Sequence, residues 1–297
     1  MNYNTIKPDK EGFIETPGGK VYYRINHAKN NTNKAPLVLV HGGPGMGHRY
    51  LLPLVELASE RDVIFYDQLD TGKSKGTNSK DFWTLDYFTE ELALVCKGLA
   101  LKNFHIGASS WGCSIAVNYT AGKPGGLKSV LLSGALVSTK RWVDDNTAYR
   151  GALPQDVQRI LDKYEAEKDY GADEYQAATE VFYRQHLCRL NEWPDYLNES
   201  LASSNFEQYL HMWGPTEFLC TGTLKEMELS PKLKEITAPV LFISGEFDEG
   251  TPAASTDFAA KTKNAEVYVV KDASHTPHIE KTDEFMRVAE SFLSRYD

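Results

Sequence analysis

The sequence predicts an α/β protein in which a mostly parallel central sheet is flanked by helices and interrupted by a helical insert. Short apolar runs rich in β-branched residues recur along the chain, and such runs are typical of strands buried on both faces. Helical patterns lie between these runs, and this alternation favours a parallel sheet. A third observation is a stretch of about a hundred residues without a convincing buried strand, which predicts the insert.

The first part of the chain contains predicted strands and one clear predicted helix. The segment GFIETPGGKVYYRINHA is interpreted as two strands around a Pro-Gly-Gly turn. Apolar runs follow it, and the amphipathic pattern LDYFTEELALVCKGLAL begins at Leu85. The four runs are PLVLV from Pro36, DVIFY from Asp62, FHIGA from Phe104 and SVLLSGAL from Ser129.

Residues 137–237 are predicted to form a helical cap between two parts of the α/β core, 1–136 and 238–297. Three segments of the cap have helical patterns: LPQDVQRILDKYEAEKD, ADEYQAATEVFYRQHLCRL and SLASSNFEQYLHMWG. Strand patterns resume with PVLFISGEFD and AEVYVVKDASH. The last segment, TDEFMRVAESFLSRY, is a predicted amphipathic helix with Thr282 as its N-cap.

Composition and charge exclude several classes of protein. The 297 residues include 32 Lys and Arg against 41 Asp and Glu, and the net charge of −9 argues against nucleic acid as a partner. The start of the chain lacks an apolar signal-peptide core, and no apolar run is long enough to span a membrane, so we expect a cytoplasmic protein with no membrane partner. The four cysteines lack metal-site spacing, which favours free thiols, and neither a metal nor a cofactor is predicted. The sequence leaves the oligomeric state open.

Two adjacent serines lie between a predicted strand and a predicted helix in the stretch GASSWG. Ser110 has small residues two positions away on either side, Ala108 and Gly112, which is the pattern of a nucleophile elbow. Strand and helix run close together at those positions, so only small side chains fit. Ser109 would place Trp111 there, and that side chain is too large. Ser110 is therefore the predicted nucleophile, with a helix-capping turn as the alternative interpretation.

An acid and a base follow Ser110 in the order that hydrolases of this kind require. Asp248 ends one predicted strand run and His275 follows another, and loops at the carboxyl ends of parallel strands build active sites. Two competitors lie nearby, His278 and Asp272. We favour His275 because it follows the strand more closely. We favour Asp248 because Asp272 is too near in sequence to reach around the imidazole easily.

The glycine-rich stretch VLVHGGPGMG follows the run from Pro36 and suggests an oxyanion hole. Glycines let the backbone approach a ligand closely, and the N–H of Gly43 is the predicted first donor. The N–H of Trp111, the residue after the nucleophile, is the predicted second donor. A glycine-rich turn can instead bind phosphate, but the G-x-G-x-x-G and Walker patterns do not occur in this sequence.

Six motifs together carry a resemblance to a known family. They are HGGPG from His41, YDQLDTGKS from Tyr66, SSWG from Ser109, GPTEF from Gly214, GEFDEGTP from Gly245 and ASHTPHIEK from Ala273. Over nearly its whole length the chain resembles the proline iminopeptidases (prolyl aminopeptidases), S33 peptidases of the α/β-hydrolase superfamily. The resemblance implies an α/β-hydrolase fold and a triad of Ser110, Asp248 and His275. The implied activity is release of an N-terminal residue, with proline preferred, through an acyl-enzyme.

The resemblance also assigns a role to two glutamates, Glu217 in the predicted cap and Glu249 after Asp248. It implies that their carboxylates bind the amino terminus of the substrate, a small peptide or an amino-acid amide or ester. Two carboxylates can hold an ammonium group by charge-assisted hydrogen bonds. Two positions depart from the family pattern, where Ala108 and Asp70 replace glycines. Asp tolerates left-handed backbone better than most residues, so we expect the turn at Asp70 to form.

Two other functions stay open at the level of the sequence. One is an amino-acid amidase or esterase of the same fold. The other is a catalytically silent binding protein, against which the intact set of Ser110, Asp248 and His275 argues.

Overall fold

In the computed structural model, which describes residues 3–30 and 32–297, nine strands form a single twisted sheet at the centre of the molecule. The strands are β1 (Lys10–Thr16), β2 (Gly19–Asn26), β3 (Leu37–Val40), β4 (Val63–Tyr66), β5 (Lys75–Gly76), β6 (Phe104–Ser109), β7 (Leu127–Ser133), β8 (Val240–Gly245) and β9 (Ala265–Val270). Their order is β1-β2-β4-β3-β6-β7-β8-β9, with β5 paired to β2.

The six strands from β4 across to β9 run parallel, whereas β1, β2 and β5 join antiparallel. Every residue of β3, β4, β6 and β8 is buried, as expected for strands covered on both faces. The carboxyl ends of the parallel strands lie at one edge of the sheet, where the loops after β6, β8 and β9 meet.

Helices cover both faces of the sheet. Those of the core are α1 (Leu85–Gly98), α2 (Trp111–Ala121), α9 (Pro252–Ala260), α10 (Pro277–Glu280) and α11 (Thr282–Leu293). Val38 and Val40 of β3 pack with α1 and α2 in one core cluster. Leu37 and Leu39 pack on the opposite face with α11 and with a 3₁₀ helix at Arg49–Ser59. This alternation along one strand divides the core into two apolar layers.

The chain between β7 and β8 is helical. Its helices are α3 (Thr139–Gly151), α4 (Gln155–Glu167), α5 (Asp173–His186), α6 (Asp195–Ala202), α7 (Phe206–Met212) and α8 (Ser230–Leu233). Residues of α4 and α5 form a small apolar cluster of their own, which includes Leu161, Tyr175 and Phe182. The domain boundaries proposed at 136/137 and 237/238 stay a prediction.

The structure differs from the sequence prediction at three helices. The segment from Ser200 to Gly214 forms two helices and not one, because Asn205 accepts a hydrogen bond from the backbone N–H of Gln208 and so caps α7. Thr282 is not an N-cap, since its hydroxyl donates to the carbonyls of His278 and Ile279. Helix α3 was not predicted, because its sequence is mostly polar and carries little helical patterning.

Two further expectations concern the chain as a whole. All four cysteines are free thiols. Within the described ranges, no helix combines the length and the apolar character that crossing a membrane requires.

Candidate active site

Ser110 lies where β6 ends and α2 begins, and its backbone is strained. Its φ of 57° and ψ of −124° form a combination that is rare outside glycine. The turn is fixed by two hydrogen bonds of 2.9 Å, from Ser110 N–H to the Ser133 carbonyl and from Cys113 N–H to the Ser110 carbonyl. The Ser110 side chain lines a cavity, whereas Ser109 is buried beneath it. The structure thus exposes the serine that the sequence predicts.

Close packing two residues after Ser110 explains why a glycine occupies position 112. A Cβ on Gly112 would lie 2.3 Å from the Val40 carbonyl oxygen and 2.7 Å from that of His41. The end of β3 therefore passes directly beside the start of α2, and the predicted close approach is confirmed. Ala108, the departure on the other side, is buried in the core without displacing the elbow.

Asp248 and His275 contact each other at the carboxyl edge of the sheet. The Nδ1 atom of His275 lies 2.6 Å from Oδ1 of Asp248. Backbone N–H groups of Gly250 and Gly245 donate to the two Asp248 oxygens, at 2.7 and 3.2 Å. The buried carboxylate is therefore fixed by the loop and orients the ring, with a proton on Nδ1 and Nε2 facing the cavity.

The two competing residues lie elsewhere. Nε2 of His278 is 3.1 Å from the Tyr50 carbonyl oxygen, and its ring packs against Tyr50 and Phe285. Burial lowers the pKa of His278 to about 4. Asp272 is exposed and has a φ of 53°. The structure brings Asp248, and not Asp272, to His275.

Of the two predicted oxyanion donors, Gly43 lines the cavity with Ser110, and Trp111 follows Ser110 directly in the chain. The N–H of Gly42 donates to the Tyr50 hydroxyl at 2.7 Å, so that amide is occupied and the next one, at Gly43, stays the candidate oxyanion donor. Gly43 lines the cavity and has a φ of 113°, where a side chain would be strained. Trp111 is the first residue of α2, so its N–H belongs to the positive end of that helix.

Gln68 connects the glycine loop at His41 to the elbow at Trp111, a role that sequence reasoning missed. Its side-chain N–H donates to the His41 carbonyl at 2.7 Å, and its carbonyl accepts from the Trp111 indole at 3.0 Å. His41 in turn hydrogen-bonds the carbonyl of Gly42 through Nδ1 at 2.8 Å. Gln68 thus fixes the glycine loop relative to the elbow. The signal in the sequence is a polar residue two positions after an apolar strand pattern, within the quoted YDQLDTGKS motif.

Glu217, between α7 and α8, and Glu249, in the loop after β8, face the same cavity. Glu217 accepts hydrogen bonds from the Tyr209 hydroxyl at 2.5 Å and from the Trp142 indole at 3.2 Å. Glu249 is 2% exposed, and among the described residues its Oε2 has no hydrogen-bond partner. Burial raises the pKa of both carboxyls, and the charge of Glu217 raises that of Glu249 further. A buried carboxylate oxygen without a partner is costly, and a bound cation would relieve that cost.

The carboxylates also act on His275. Oε1 of Glu249 lies 3.5 Å from Nε2 of His275. Burial alone would lower the pKa of His275, but the charges of Asp248, Glu249 and Glu217 outweigh it and raise the pKa to about 9. Without a bound cation, the site therefore favours the imidazolium.

The end of α5 and the end of β7 hold His275 in place, and neither contact was predicted. The backbone N–H groups of His275 and Thr276 donate to the carbonyls of His186 and Leu187, both at 3.1 Å. On the other side of the ring, a Cβ on Gly134 would lie 2.5 Å from Nδ1 and Cε1 of His275. The imidazole is therefore packed against bare backbone at the end of β7.

A cavity of about 350 Å³ brings these groups together. Its lining includes Ser110, His275, Glu217, Glu249 and Gly43. The remaining lining residues are mostly apolar or aromatic. Within residues 3–30 and 32–297, no group of three or more His, Cys, Asp or Glu side chains is placed to hold a metal ion.

Comparisons with known proteins agree with this geometry. The family model of the alpha/beta hydrolase fold matches residues 35–282. The proline iminopeptidase of Heyndrickxia coagulans is 37% identical over 285 residues, which cover 96% of this chain and 98% of that protein. The crystal structure of the proline iminopeptidase of Mycobacterium smegmatis superposes with a TM-score of 0.90 at 32% identity, covering 97% and 98% of the two chains. The crystal structure of VinJ gives a TM-score of 0.93 at 31% identity, covering 98% and 100%.

The fold and its matches define an α/β-hydrolase, so the predicted fold class is confirmed. Within that class, the chain belongs to the proline iminopeptidase family. The prediction of an enzyme, a serine aminopeptidase of this fold, is confirmed with it.

Proposed function

We propose that this enzyme releases the N-terminal residue, preferably proline, from small peptides through an acyl-enzyme formed on Ser110. One observation carries the proposal. His275, which is hydrogen-bonded to the buried Asp248, lines a single cavity together with the strained Ser110, the buried Glu249 and the half-buried Glu217. The names of the relatives support the preference for proline.

In the first half of the reaction, the Ser110 hydroxyl attacks the carbonyl carbon of the scissile amide. Nε2 of His275 takes the serine proton, while Asp248 holds Nδ1–H and stabilises the imidazolium. The N–H groups of Gly43 and Trp111 donate to the developing oxyanion, an interaction typically worth about 3–4 kcal/mol of barrier. The imidazolium then protonates the leaving nitrogen, the C–N bond breaks and the acyl-enzyme forms.

In the second half, water attacks the acyl-enzyme. His275 takes a proton from that water, and the same oxyanion donors stabilise the second tetrahedral intermediate. The intermediate collapses with return of the proton to Ser110. The free amino acid leaves, and the triad is restored.

Glu217 and Glu249 bind the amino group of the substrate in this proposal. The carboxylates lie beside His275, so an ammonium held between them places the carbonyl of the first residue near Ser110. A substrate longer at its amino end would leave the pair of carboxylates without a cation. This arrangement limits cleavage to the first peptide bond. We place the reaction in the cytoplasm, consistent with the free thiols.

The experiment compares three substrates on the parent enzyme and on Glu217→Gln: prolyl arylamide, N-acetylprolyl arylamide and a small neutral ester. The parent should cleave the free amine and not the acetylated one. Glu217→Gln should lower kcat/KM for the free amine by about ten- to a hundredfold, because a charge-assisted bond is worth about 1.5–3 kcal/mol. The ester has no ammonium, so its hydrolysis should not fall; loss of the Glu217 charge lowers the pKa of His275 and favours the neutral base. An unchanged ratio of amine to ester cleavage would contradict amine recognition and favour the esterase alternative.

A further inference from the structure

The cavity opens to solvent between α6 and α7. Leu201 of α6 is 38% exposed and Phe206 of α7 is 55% exposed, although both side chains line the cavity. Gln176 of α5 is the third exposed lining residue. We call these three residues the mouth. The mouth therefore presents two large apolar side chains to whatever part of a ligand extends from Ser110 towards solvent.

The described part of the cavity wall carries two carboxylates, those of Glu217 and Glu249, but no lysine or arginine. Three cations on or against α5, α6 and α7 are paired with acids. The pairs are Arg184 with Glu180 at 3.0 Å, Lys80 with Glu207 at 3.2 Å, and Arg49 with Glu199. The guanidinium of Arg184 also lies over the ring of Trp193, 4.9 Å from its centroid.

We propose that the mouth is the subsite for the leaving group and that it selects uncharged, apolar amines. This inference rests on the proposed function. With the substrate ammonium at the glutamate pair and the carbonyl at Ser110, the leaving amine points to the opening. The carboxylate of a dipeptide lies about one residue, roughly 3.5 Å, beyond that amine and so stays within the cavity. There it is partly desolvated, has no lysine or arginine among the described lining residues to pair with, and is repelled by the glutamates.

Peptides that carry their carboxylate farther away escape this cost. In a longer peptide the terminal charge lies outside the mouth, in water, and an amide or arylamide has no such charge. The substrate class is therefore an aminoacyl group on an apolar amine, as in peptides with an apolar second residue, and free dipeptides are poor substrates. Leu201 and Phe206 are the specificity residues.

Three matched substrates test the inference on the intact enzyme: prolyl-leucinamide, the dipeptide prolyl-leucine and prolyl-asparaginamide. The amide and the dipeptide of leucine differ only in the terminal charge. The kcat/KM for prolyl-leucinamide should exceed that for prolyl-leucine by at least about tenfold. The asparagine side chain resembles that of leucine in size but is polar. The kcat/KM for prolyl-asparaginamide should therefore be lower than that for prolyl-leucinamide. Phe206→Ser should reduce this second preference.

A second experiment places a positive charge in the mouth. Leu201→Arg should raise kcat/KM for the dipeptide relative to the amide by about two- to fivefold, as expected for an exposed ion pair. Leu210→Arg is the matched control, because Leu210 is 39% exposed on α7 but does not line the cavity. The control should leave the ratio unchanged.

Each outcome has a distinct meaning. Equal cleavage of amide and dipeptide by the parent would overturn the inference and leave the proposed function intact. An equal response to Leu201→Arg and Leu210→Arg would also overturn it, since the effect would then be a long-range field. Failure of the parent to cleave any of the three substrates would overturn the proposed function, and the inference with it.

Discussion

At the scale of single residues, the imidazole of His275 lies between carboxylates. Asp248 contacts Nδ1 at 2.6 Å, and Glu249 lies 3.5 Å from Nε2. The second carboxylate opposes catalysis in the empty enzyme, because a base must be neutral to accept a proton. In the proposed reaction, a substrate ammonium held by Glu249 offsets that charge. Substrate binding therefore favours the active form of the base.

Glu249→Gln should shift the pH dependence of the enzyme to lower pH. The pKa of His275 is raised to about 9 partly by the charge of Glu249, and activity appears as pH rises through that pKa. The readout is hydrolysis of a neutral ester, whose own groups do not titrate. The rate of ester hydrolysis should rise around pH 9 in the parent and at lower pH in the variant. At pH 7 the variant should hydrolyse the ester several-fold faster than the parent.

The matched control for this shift is Glu246→Gln, an exposed glutamate three residues earlier in the same loop. Its profile should coincide with that of the parent. Coincidence of the Glu249→Gln profile with the parent would show that Glu249 does not act on His275.

At the scale of elements, the ends of parallel strands assemble the site, and the backbone of β7 has a direct part in it. Gly134, just past β7, has a φ of 54°, and a Cβ there would lie 2.5 Å from the His275 ring. A methyl group at this position must displace either the ring or the strand end.

Gly134→Ala should lower kcat by about a hundredfold, because a displacement of about 1 Å in a catalytic group can have that effect. The protein should still fold, so circular dichroism and kcat are measured together. Gly125→Ala is the control, since a Cβ on Gly125 meets nothing within 4 Å. Normal kcat in Gly134→Ala would mean that the ring tolerates a side chain there and that its packing against β7 is not needed.

The elements also show what sequence could and could not predict. The buried strands were predictable because a strand covered on both faces is apolar throughout, as in β3 and β8. Helix α3 was not predictable, because its sequence is polar and the helix is stabilised by contacts that only the fold creates. One such contact is the bond from Asn146 to the Glu249 carbonyl at 3.1 Å.

The same division holds within the candidate site. Ser110, Asp248 and His275 could be predicted because their order and their places after strands carry information. Glu217 and Glu249 followed only from the family resemblance, since nothing local distinguishes them among 41 acidic residues. The roles of Gln68 and Gly134 depend on contacts between segments far apart in the chain. No local pattern encodes those contacts.

At the scale of the whole molecule, a buried arginine joins the end of the chain to the core. Arg61 is 0% exposed. Its guanidinium donates to both Asp297 oxygens at 2.8 and 3.0 Å, and it also contacts Glu290 of α11. Burial would raise the pKa of Asp297, but its bonds to Arg61 outweigh that effect and lower it. This contact holds α11 against the sheet.

Asp297→Asn should lower the free energy of unfolding by about 1–3 kcal/mol at pH 7, because it leaves Arg61 with only part of its partners. Since the folded pKa of Asp297 is lowered, its contribution is present above the unfolded value of about 3.9 and is lost as pH falls through the folded value. The difference between parent and variant in urea unfolding should therefore shrink below about pH 4.

The control is Glu266→Gln, which breaks the exposed pair of Glu266 with Arg295. Exposed pairs contribute about 0–1 kcal/mol, so this variant should change the free energy of unfolding little. A Glu266→Gln effect as large as that of Asp297→Asn would show that burial of Arg61 is not what makes its contact important.

The central claim, that Ser110 is the nucleophile activated by His275, is tested most directly by labelling with a fluorophosphonate. We predict one adduct per chain, located on Ser110 by mass spectrometry of peptides. Labelling should be absent in Ser110→Ala, slowed strongly in His275→Ala and preserved in Ser109→Ala. An adduct on Ser109, or no adduct on a folded sample, would contradict the account.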